Sequence, residues 1–94
     1  MIATVIKKQY LEEIEAGIKT IEYRACSQFW TRRINGKRHG AILFLCGRKC
    51  KGYRIKKIET ERTPEDLKSI INTDSSFAIY LAGRYRWPEQ MRLF

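Results

Sequence analysis

Along the chain the apolar positions change period several times, and each change marks an element. Met1 to Ile6 is a short β-branched run that predicts a strand. From Lys8 to Ala16 the apolar residues take helical spacing, with Leu11, Ile14 and Ile18 on one side, and Gly17 fits the stop because the residue past a last helical turn adopts the left-handed conformation most cheaply as glycine. Lys19 to Ala25 then alternates. In an extended chain Thr20, Glu22 and Arg24 project to one face and Ile21, Tyr23 and Ala25 to the other, which predicts a polar face and a core face. Ser27 to Ile34 reads either as a short helix or as an irregular loop, and Asn35-Gly36 is a turn signal.

Ala41 to Leu45 is an unbroken apolar run, suited to a strand buried on both faces. Gly47 to Gly52 turns it into a second long strand, Tyr53 to about Arg62, and the two predict a hairpin. Thr63-Pro64-Glu65-Asp66 has the form of a helix start, with Thr63 as cap, proline at the first helical position and acids in the first turn. Leu67, Ile70 and Ile71 would be its buried stripe. Asn72 to Ser76 ends it, and Phe77 to Leu81 predicts a closing strand. The expected order is β-α-β-β-β-α-β, an α+β fold of one domain over residues 1–94. Trp87-Pro88, Met91, Leu93 and Phe94 lie in a tail from Ala82 onward, read as completing the core.

Charge adds a partner class. Nineteen Lys and Arg against ten acidic residues give a formal charge of +9, enough for a small surface to hold a positive potential of several kT where the charges cluster. The clusters carry aromatic residues among them. Trp30, Arg32, Arg33, Lys37 and Arg38, with Arg84 and Tyr85 nearer the end, are the candidate nucleic-acid surface, the arginines and lysine for phosphates and the rings for unpaired bases. His39, beside them, reads as a solvated loop residue. No apolar run approaches the ~20 residues needed to cross a bilayer, and Met1 leads into the first strand without a charged leader and cleavage site, so the expectation is a soluble cytoplasmic protein.

Three cysteines, an odd count, argue against a disulfide framework in such a setting. Cys46 and Cys50, with Cys26 and His39, would make up a Cys3His zinc set; Cys46 ends an apolar strand where cysteine packs as a small hydrophobe, so no metal and no cofactor is expected.

The densest chemistry is Gly17-Ile18-Lys19-Thr20-Ile21-Glu22-Tyr23-Arg24. A helix followed by Gly-x-Lys-x-x-Glu-x-Arg on a strand resembles the signature of the ASCH domains, members of the PUA-like superfamily, with matches at Gly17, Lys19, Glu22 and Arg24. The resemblance would run from Met1 to about Leu81. It implies a small PUA-like mixed β-barrel with two or three short helices, and an RNA- or nucleotide-binding role for a pocket lined by Lys19, Thr20, Glu22 and Arg24. Lys19 and Arg24 would hold phosphate or a base oxygen, the guanidinium offering a planar fork, and Glu22 would accept from an exocyclic amine. Some members are amidohydrolases acting on N4-acetylated cytidine and one relative is a ribonuclease; on that alternative Lys19 and Glu22 would be catalytic, although the hydrolase subgroup has threonine where this chain has Glu22. A third alternative is a protein-interaction module of a phage or mobile element.

Overall fold

The computed structural model describes residues 1–36 and 38–86. Its elements are β1 (Ile2–Val5), α1 (Lys8–Glu15), β2 (Ile21–Ala25), α2 (Gln28–Ile34), β3 (Ala41–Cys46), β4 (Lys49–Arg62), a 3-10 turn (Glu65–Leu67) and β5 (Ser75–Tyr85). The expectations that fell on Lys37 and on Trp87 to Phe94 lie outside the described residues.

The five strands form one mixed sheet in the order β1-β3-β4-β5-β2. β1 runs parallel to β3, as a strand returning through intervening helices can, while β3, β4, β5 and β2 pair antiparallel in turn. β4 is the spine. Its 14 residues pair first with β3 and then with β5, and the register shifts between Tyr53 and Lys57 mark where it bends from one partner to the other. The sheet therefore curls into a half-barrel. The core fills its concave side: Ile2, Ile42, Phe44, Tyr53, Phe77 and Ile79 pack with Leu11 and Ile14 from α1 and Trp30 and Ile34 from α2.

Local chemistry sets the helix ends. At the end of α1, Ile18 N–H donates to Glu13 C=O at 2.9 Å and Gly17 N–H to Ile14 C=O at 3.1 Å, the paired bonds of a Schellman cap, with Gly17 at φ +76°. That stop aims the chain into β2. The segment left open between helix and loop is a helix because Ser27 caps it, its Oγ accepting from Trp30 N–H at 3.3 Å.

Two expectations are corrected. No α-helix follows Thr63. Its hydroxyl is turned inward, bonding Ser76 Oγ at 2.5 Å and Thr73 C=O at 2.7 Å, so it ties the ends of the segment together instead of capping a helix, and only the three-residue turn forms. The faces of β2 are also exchanged. Glu22 and Arg24 stand opposite Ile79 and Phe77 in the ladder, and directly paired residues share a face, so the charged pair points to the core side; Ile21 and Tyr23 share the other face with Tyr80 and Ala78.

Candidate functional site

Because β1 and β2 are the two sheet edges, the curl leaves a seam between them, and the charged side chains of β2 sit in it. Glu22 is 5% exposed. A carboxylate so buried needs partners, and both oxygens have one: Oε1 faces Lys19 Nζ at 3.1 Å and Oε2 accepts from Arg24 Nη2 at 2.5 Å. Each cation is further fixed by a backbone carbonyl. Lys19 Nζ donates to Ile21 C=O at 3.0 Å, and Arg24 Nη2 reaches across the seam to Val5 C=O at 3.2 Å. Arg24 Nε is buried and has no hydrogen-bond partner among the described residues.

Aromatic rings complete the arrangement. The Lys19 ammonium lies 5.6 Å from the Tyr10 ring centroid and the Arg24 guanidinium 5.2 Å from that of Trp30, within the range where the ring quadrupole attracts a cation. Tyr10 comes from α1, Lys19 from the turn after it, Glu22 and Arg24 from β2, and Trp30 from α2. All five line a cleft of about 500 Å³, which Lys7 and the apolar side chains of Leu67, Ile70 and Ile71 also border. That volume is in the range of clefts that hold small molecules. The three apolar residues expected as a buried helix stripe thus form a cleft wall, and Ile70 and Val5 leave large apolar surfaces exposed at it.

Of the residues anticipated for ligand binding, Lys19, Glu22 and Arg24 come together; Thr20 is exposed and does not line the cleft. Tyr10 and Lys7 were not anticipated there. Tyr10 precedes Leu11 on α1, and its place toward the motif depends on how the helix docks, which periodicity leaves open.

The residues anticipated for a nucleic-acid surface divide. Arg32, Arg38 and Arg84 are exposed and Tyr85 is half-buried at the end of β5. Arg33 is engaged internally: Nη2 donates to Ala3 C=O on β1 at 2.5 Å, and its guanidinium lies 5.1 Å and 5.4 Å from the ring centroids of Phe29 and Trp30. Trp30 is 8% exposed, so it offers a floor for the cleft and not an open platform. His39 is held and not merely solvated, its Nε2 bonding Arg33 C=O at 2.8 Å; since a carbonyl only accepts, Nε2 carries the proton.

The cysteines do not converge. In the hairpin Cys50 stands opposite Leu45 and Cys46 opposite Lys49, so Cys46 and Cys50 face opposite sides of the sheet. All three thiols are free, and burial raises the pKa of Cys26 and Cys50. Among the described residues no three His, Cys, Asp or Glu side chains are gathered as metal ligands, and no helix is long and apolar enough to cross a membrane.

Comparison with known proteins returned no match to a family model, to a curated protein or to a solved structure.

Proposed function

We propose that this is an RNA- or nucleotide-binding domain of the ASCH and PUA-like kind, and that its ligand enters the cleft lined by Lys19, Glu22 and Arg24. One observation carries the reading: the three charged residues of the sequence motif meet in a single hydrogen-bonded cluster on the wall of a cleft that also presents Tyr10 and Trp30. Donor-rich cations beside aromatic surface suit a planar, acceptor-rich ligand such as a nucleotide. The curled mixed sheet with its helices on the concave side supports the PUA-like assignment.

Glu22 takes a different part from the one its residue type alone suggested. With an oxygen committed to each cation, it fixes the positions of Lys19 and Arg24 and so preorganises their remaining donors. Lys19 Nζ faces two acceptors, the posture of a donor; a nucleophile or general base would have to leave both. Binding is accordingly favoured over amide hydrolysis. The exposed Arg32, Arg38 and Arg84 would extend the footprint along the phosphate backbone.

Equilibrium titration with a short single-stranded RNA, comparing the native chain with Lys19→Gln, tests this. Lys19→Gln is expected to weaken binding by about tenfold or more, the worth of a charge-assisted contact. Unchanged affinity in a folded variant overturns the reading.

A further inference from the structure

We infer that the cleft is built for a terminal phosphate monoester, carried either by a free mononucleotide or by the 5′ end of an RNA strand. This rests on the nucleotide-pocket reading and makes it more specific. Among the described residues three cations line the cleft, Lys7, Lys19 and Arg24, and Glu22 is the one carboxylate, so these side chains together carry a formal charge of +2. A phosphate monoester carries about −1.5 to −2 at neutral pH and three acceptor oxygens. A backbone phosphodiester carries a single charge and would leave the site unbalanced.

The donors match as well as the charge. Arg24 spends Nη2 on both Glu22 and Val5, so Nη1 is not drawn into either contact, and Nε is buried with no partner among the described residues. An unmet buried donor carries a desolvation cost that an incoming acceptor relieves. Lys19 uses Nζ on Glu22 and Ile21 C=O, and an ammonium has a third N–H. Lys7 is exposed and lines the cleft, a point charge on a long flexible stem that can reach the anion. Tyr10, Trp30 and the Leu67, Ile70 and Ile71 wall supply apolar surface for the attached nucleoside.

Four ligands decide it: one single-stranded RNA with a 5′-phosphate, the same strand with a 5′-hydroxyl, a nucleoside 5′-monophosphate and the nucleoside. Binding is read by calorimetry and by amide shifts at Lys19 to Arg24. Each phosphorylated member is expected to bind about tenfold or more tightly than its partner. If the mononucleotide competes as well as the phosphorylated strand, the free nucleotide is the source; if only the strand binds, the RNA end is. Lys7→Gln should narrow the phosphate preference several-fold, with a larger loss on the phosphorylated strand than on the hydroxyl strand, whereas an equal loss on both strands contradicts its assigned part. Equal affinity within both pairs, with shifts still centred on Lys19 to Arg24, overturns the monoester proposal and leaves the pocket standing. Absence of any shift there removes both.

Discussion

Arg24 on β2 donates from Nη2 to the main-chain carbonyl of Val5 at the end of β1, and so joins the two edge strands of a sheet whose backbone ladder, among the described residues, does not close. The same nitrogen holds Glu22. A side chain serving seam and site together makes stability and ligand binding depend on one guanidinium. Arg24→Ala removes the seam contact and strips a nearly buried carboxylate of one partner. We expect a loss of about 2 to 3 kcal/mol in urea unfolding. Arg24→Lys should recover only part of it, because an ammonium keeps the charge but not the planar guanidinium that lies against the Trp30 ring; full recovery would show that charge alone suffices.

Gly17→Ala tests the stop ahead of the motif. A Cβ there meets nothing within 4 Å, while φ is +76°, so the cost is backbone strain alone, about 1 kcal/mol. A neutral result in thermal unfolding would mean that the cap relaxes and that the entry into β2 is not fixed by it.

Arg32 and Arg33 are adjacent but do different things. Arg33→Ala should lower stability by about 1 to 2 kcal/mol by removing its bond to Ala3 and its packing on Phe29 and Trp30. Arg32→Ala should leave stability within about 0.5 kcal/mol and reduce the salt slope of RNA binding by about 1. Identical effects of the two variants would contradict the division.

Tyr80 gives a pH prediction on the face of the sheet away from Glu22. Its hydroxyl donates to Glu61, and that bond, with desolvation and the charges of Glu61 and Glu59, pushes its pKa from 10.0 up to about 12. A folded-state pKa above the unfolded one means a stabilising contribution present below about pH 10 that fades as pH rises through 12. Ultraviolet titration should show a tyrosine ionising late, lost in Tyr80→Phe. If the late step persists in that variant, it belongs to another ring.

Much of the fold could be read along the chain because its signals are local. Gly17, the β-branched first run and the apolar stretch from Ala41 gave a stop and two strands that stand in the structure with ends moved by a residue or two. The segment after Thr63 is ambiguous in sequence because the same four residues that suit a helix start also suit a turn. What decides is the Thr63 hydroxyl meeting Ser76 at the far end of the segment, helped by the local bond from Thr73 Oγ1 to Ser75 C=O at 2.7 Å, which together compete with a helix too short to nucleate well. The faces of β2 are open in sequence for a related reason. Alternation distinguishes two faces but does not say which is inside, and here a neutralising cluster makes the charged face the one that turns to the core side. Spacing grouped Lys19, Glu22 and Arg24; Tyr10, Lys7 and the 67–71 wall come from distant segments, and only the curl of the sheet brings them to the same cleft.

The most direct test of the central claim is residue-by-residue amide and indole NMR of the full chain during titration with a nucleoside 5′-monophosphate or a short single-stranded RNA. Ligand in the cleft predicts saturable shifts at Lys19, Glu22 and Arg24, at Tyr10 and at the Trp30 indole. Shifts confined to the exposed arginines at 32, 38 and 84, with the motif unmoved, would contradict it.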